Sequence, residues 1–112
     1  MIDVYAFTDI LPKTEKYNRV TQLQRSSSSI AANIAEGYGR YHYQENIQFC
    51  RQARGSLEET KNHLIAARDL KQVSKELSDP LIERCAEVRM LLNGYINSLR
   101  SRKISEHLTH RS

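Results

Sequence analysis

Apolar residues recur at steps of three and four along four stretches of this chain, and no Val/Ile/Thr-rich alternating run suggests a strand. The first stretch, residues 1 to about 11, sets Val4, Phe7 and Leu11 on one side. Pro12 stops it, because proline cannot continue a helix interior. The second, about 14–38, aligns Val20, Leu23, Ser27, Ile30 and Ile34, with Gly37 and Gly39 at its end, where glycine lets a chain turn. The third, about 43–71, has a seam of Cys50, Ala53, Leu57, Thr60, Leu64 and Ala67, flanked by Phe49 and Ile65. The fourth contributes Leu81, Cys85, Val88, Leu92, Tyr95 and Leu99, widened by Ile82, Leu91 and Ile96. Asp79 followed by Pro80 suits an N-cap and a first helical residue, so the pattern predicts a short turn at 75–78 and a main helix from 80.

Three long amphipathic helices and one short one, joined by brief connections, pack as an antiparallel up-down bundle. The prediction is therefore an all-α four-helix bundle with a shortened first helix over residues 1–99. The apolar periodicity ends at Leu99, leaving residues 100–112 as a flexible tail. A chain of 112 residues supports one modest core and a single domain. Both cysteines fall on apolar seams, where a free thiol acts as a small hydrophobe. No apolar run reaches the roughly 20 residues of a membrane span. With no basic-then-apolar leader at the start and no closely spaced cysteines, the expectation is a cytoplasmic protein with reduced thiols.

The formal charge of +4 is unevenly placed. From residue 100 onward, Arg100, Arg102, Lys103 and Arg111 face only Glu106, a net +3, which leaves the body with 13 cations against 12 anions. Arg51, Arg54, Lys61 and Arg68 lie roughly along one edge of the third segment, with Arg25 and Arg40 on the second. Such cations are candidates for phosphate contact, although a short basic terminus is as often only a solubilising end.

The most distinctive stretch is Arg25 to Arg40, RSSSSIAANIAEGYGR, followed by Ala53 to Glu59, ARGSLEE, and Leu92 to Ile96, LNGYI. These motifs resemble the hallmark pattern of the four-helix-bundle family of the 23S rRNA intervening-sequence proteins, in register from about Tyr5 to Leu99. Ala31 stands where the family often has proline, His42 replaces a capping Ser or Thr, and Asn46 replaces an apolar residue. The resemblance implies a homopentameric, barrel-like assembly with RNA or DNA nearby. It also implies a possible protein partner, since relatives are accessory proteins of reverse transcriptases. The hallmark residues Ser29, Asn33, Glu36, Gly37, Gly39, Gly55, Ser56 and Glu59 would then be structural or interfacial. On the helix, Gln22, Ser26, Ser29, Asn33, Glu36 and Arg40 form a polar stripe beside the apolar seam. Such a stripe faces solvent, a buried hydrogen-bond network or another subunit.

Little in the chain reads as chemistry. Glu59 and His63 are four apart with no second pair of that kind, so neither a metal nor a cofactor is expected. Arg102 and His107 match the Arg-x4-6-His spacing of HEPN-type ribonucleases, in which a cation steadies phosphate charge and a histidine moves protons. That motif is short and made of common residues. The tyrosines 38, 41 and 43 cluster at one turn, where the expected role is covering the bundle end and the alternative is stacking on bases. The favoured expectation is a non-enzymatic, oligomeric scaffold or accessory factor that binds nucleic acid weakly and electrostatically. The alternative is a protein–protein interaction module that binds none.

Overall fold

The computed structural model describes the backbone of residues 13–111 and the side chains of residues 18–106. Three helices account for nearly all of it: α1 (Lys13–Tyr38), α2 (Tyr43–Asp69) and α3 (Lys75–Arg111). The fold is all-α, and no strand occurs among the described residues. The short helix expected over residues 1–11 lies outside them. α2 is the middle element. It packs along α1 on one side and α3 on the other, and no comparable packing joins α1 to α3 among the described residues.

The core follows the predicted seams. Leu23 and Ile30 of α1 meet Ala53, Leu57, Leu64 and Ala67 of α2, with Cys85 and Leu92 of α3 closing the other side. A second cluster near the α1–α2 turn joins Ile47 and Cys50 to Ile96 and Leu99, with Tyr43 and Tyr95 against it. Each buried Leu or Ile side chain contributes about 1.5–3 kcal/mol relative to exposure.

The polar stripe of α1 resolves into several roles. Ser26 is fully buried, and its Oγ lies 2.8 Å from Thr60 Oγ1, which is also 2.9 Å from the Ser56 carbonyl oxygen. Ser29 and Ser56 share a hydroxyl hydrogen bond of 2.8 Å, and Asn33 donates to the Ser29 carbonyl at 2.8 Å. These residues form the hydrogen-bond network between α1 and α2. Glu36 and Arg40 instead pair on the surface at 2.5 Å. Gly37 is needed for proximity rather than for turning, since no glycine has a positive φ. A Cβ on Gly37 would fall 2.7 Å from Asn46 Oδ1 and 2.8 Å from Phe49 Cβ. Asn46, polar where an apolar residue was expected, is buried with its amide satisfied. It donates to the Tyr95 hydroxyl at 3.0 Å and accepts from Cys50 Sγ at 3.5 Å. His42 gives α2 no side-chain cap, consistent with the loss of a capping hydroxyl.

Three expectations change. α3 begins at Lys75 rather than Pro80, with the Ser74 carbonyl accepting from the Ser78 amide at 3.1 Å. Asp79 does not cap a helix; its carboxylate accepts from Arg68 of α2 at 2.8 Å. Pro80 deprives only the Glu76 carbonyl of an amide partner, and Glu76 is exposed to water. α2 stops at Asp69, two residues early, in a Schellman arrangement: the Gln72 amide donates to Ala67 at 2.9 Å and the Lys71 amide to Arg68 at 3.0 Å. Lys71 takes the left-handed position, φ 59°, usually given to glycine. Finally, α3 does not break at Leu99 but runs on to Arg111. Burial is what ends there, since residues 100–106 are all exposed.

Both cysteines are buried, as their seam positions required, and burial pushes both thiols up, Cys85 to about 11. Native protein should therefore react slowly with a thiol reagent and rapidly once denatured; fast native labelling of both would contradict this packing. Gly37→Ala should lower stability in urea melts by about 1–3 kcal/mol, because α2 would have to retreat. Gly55→Ala meets nothing within 4 Å. In the isolated chain it should instead stabilise by about 0.5–1 kcal/mol.

Candidate nucleic-acid interface

Side-chain partners divide the nine basic candidates into two groups. On α1, Arg25 pairs with Glu59 of α2 and donates to Gln22 at 2.8 Å. Arg40 pairs with Glu36, comes within 3.9 Å of Glu45 and stands over the Phe49 ring at 5.0 Å. On α2, Arg54 donates to the Asn93 amide oxygen at 2.7 Å, and Lys61 is 3.0 Å from Glu58. Arg68 is held by Asp79 and then Asp69, whose hydrogen bonds push its pKa further up. The expected basic edge of α2 is therefore largely spent on neighbouring acids and amides.

The second group gathers at one end of the molecule. Arg51, Arg100 and Arg102 make no ion pair with any described residue, and Lys103 donates to the neutral Gln44 amide at 2.5 Å. The antiparallel packing of α2 and α3 explains the gathering, since it places the start of α2 beside the exposed stretch of α3. Arg51, Arg100 and Lys103 line one open cavity of 790 Å³ there. The sequence had placed Arg51 on an edge with Arg54 and Arg100 on a tail, so their convergence became visible only in the fold. Gln44, His42 and Ile104 also line it and were not anticipated. Arg102 is exposed but does not line the cavity.

The tyrosines at this turn do not seal the bundle end. Tyr41 is 92% exposed and Tyr38 80%, so both rings are offered to solvent. Tyr43 alone packs partly against the end cluster.

The Glu59–His63 pair sits among guanidinium groups, a hostile setting for a metal cation. His63 Nε2 lies 3.8 Å from Glu59, and Nδ1 accepts from Arg19 at 2.9 Å, an orientation required because arginine only donates. For the ribonuclease reading, Arg102 is on exposed helix surface, and the His107 side chain lies outside the described residues.

Three antiparallel helices, with four of the nine basic candidates free of ion pairs to described residues and set at one end, define an all-helical bundle protein. The family model described as 23S rRNA-intervening sequence protein matches residues 1–94, and the chain belongs to that family. No curated protein matches the sequence. The cationic stretch of α3 from Arg100 falls beyond the matched residues.

His63 supplies a pH prediction. Burial, and then the Arg19 charge, lower its pKa from the ordinary 6.5, with Glu59 opposing. The unfolded chain then takes up the proton first, so stability is fully present above about pH 6.5 and falls as pH drops towards the folded pKa. Urea melts between pH 7 and 5 should show this loss in the parent but a smaller one in His63→Gln. Equal slopes would mean that the histidine titrates as it does in the unfolded chain.

Proposed function

We propose that the protein is a non-enzymatic, oligomeric helical-bundle scaffold that binds RNA or DNA electrostatically, weakly and without marked sequence preference. The observation that carries this reading is the segregation of charge: among the described residues Arg51, Arg100, Arg102 and Lys103 have no acidic partner and lie at one end, while Arg25, Arg40, Lys61 and Arg68 pair with acids and Arg54 with an amide. Cations already matched by carboxylates repay little for phosphate contact, whereas unmatched ones release counterions from the nucleic acid when they engage it. Four phosphates are a small footprint for tight binding. Repetition around a closed assembly multiplies the footprint without new contacts.

An apolar face supports the oligomeric part. Ile34, Leu91 and Tyr95 line the surface between α1 and α3, beside Ala31, Ala35 and Tyr38. Leu91 and Met90 are each 74% exposed. A homopentamer is the assembly the family resemblance implies, and light scattering on the eluting peak should return five times the 13.0 kDa chain mass. A monomer at micromolar concentration would overturn it.

For binding, gel-shift titrations should lose about two orders of magnitude in affinity between about 50 and 200 mM salt, if one subunit engages four phosphates. Replacing Arg51, Arg100, Arg102 and Lys103 by glutamine should abolish most of the binding, while Arg68→Gln should change it little. If the oligomer retains no nucleic acid at low salt, a protein-interaction scaffold is the reading that remains.

A further inference from the structure

The cavity at the α2–α3 end has a character that charge alone does not explain. Its cations, Arg51, Arg100 and Lys103, face a single carboxylate, Glu106. Between them lie apolar and aromatic surfaces: Ile104 is 60% exposed and Tyr41 92% exposed, with His42 standing edge-on to the Tyr41 ring at 5.1 Å. The underside is Ile47, almost fully buried in the end cluster, so that wall is anchored to the core. The volume of 790 Å³ is within the range of about 300–1,000 Å³ in which compact ligands bind.

A duplex has little use for such a surface. Its bases are stacked inside and it presents mainly phosphate and sugar to a protein, so Tyr41 and Ile104 would remain wet beside it. An unpaired nucleotide presents a flat apolar ring and a phosphate on the same residue. That matches a groove which sets an exposed aromatic ring and an aliphatic side chain among three cations. The uncapped amides at the start of α2 favour an anion at the same end, as a secondary contribution.

We propose that this groove binds single-stranded nucleic acid, stacking an unpaired base on Tyr41 while Arg51, Arg100 and Lys103 hold its phosphates. The assignment rests on the nucleic-acid reading above and narrows it to one site and one strand state. The α3 side of the groove lies beyond the residues matched by the family model, so family membership does not supply it.

The test uses fluorescence anisotropy on the full chain at low salt, with labelled single-stranded RNA, single-stranded DNA and the duplex of the same sequence. The parent should prefer the single strands, and the RNA and DNA arms show which sugar the groove takes. Tyr41→Ala should weaken single-strand binding about tenfold and leave duplex binding unchanged, because one stacked base is lost. Tyr41→Phe keeps the ring and should bind as the parent does. Arg100→Gln combined with Lys103→Gln should weaken every arm, whereas Lys75→Gln, an exposed cation at the far end of α3, should weaken none. Tyr41 is almost wholly exposed, so unchanged thermal melting will show that the fold is intact. Parent-like single-strand binding by Tyr41→Ala, or a parent that prefers duplex, overturns this proposal while the broader reading stands. Absence of binding to every probe overturns both.

Discussion

The close approach of α1 to α2 governs the rest of the molecule. At the turn end, the missing side chain of Gly37 lets the backbone settle against Asn46 and Phe49. Further along, the Ser26–Thr60 and Ser29–Ser56 hydroxyl pairs do what larger apolar side chains could not at that separation. They keep the helices near and satisfy their own polarity. A four-residue turn across residues 39–42 then follows, and with it the position of Tyr41, His42 and the first residues of α2. α3 takes its register from α2 through Asn46–Tyr95, Arg54–Asn93 and Arg68–Asp79. The groove beside Arg100 is thus a downstream result of a glycine contact on another pair of helices.

The helices and their buried faces were legible because a seam of three-four spacing is a local signal. Leu23, Leu57, Leu64, Cys85 and Leu99 are buried where the periodicity put them. The boundaries were less so. Asp79-Pro80 looks like a helix start, yet the aspartate is engaged by Arg68 and the proline is accommodated near the start of an exposed helix. The turn after α2 uses Lys71 in a backbone region where glycine is the usual sign, so no residue type announced it. The run beyond Leu99 lost its apolar pattern, which marks the end of burial and does not by itself end a helix.

Charge was legible in amount but not in function. Arg25, Arg40, Arg54, Lys61 and Arg68 look much like Arg51 and Arg100 in the chain, and most of what separates them is an acid or amide contributed by another helix. Exposed pairs of this kind each add only about 0–1 kcal/mol. Their larger effect is on surface potential, since a matched arginine projects little field. Pairing along the body therefore sets Arg51, Arg100, Arg102 and Lys103 apart from the other basic candidates among the described residues.

The division of the core into two clusters has a kinetic meaning. Ile47, Cys50, Ile96 and Leu99 form a small apolar unit apart from the larger one that joins all three helices along the body. Units of different size open at different free energies, so the end of the bundle can breathe while the body stays closed. Amides near Ile47 and Ile96 are therefore expected to exchange sooner than those around Leu57 and Leu64. The wall on which the groove rests is built on the smaller of the two, so its shape is expected to follow the openings of that end rather than those of the body.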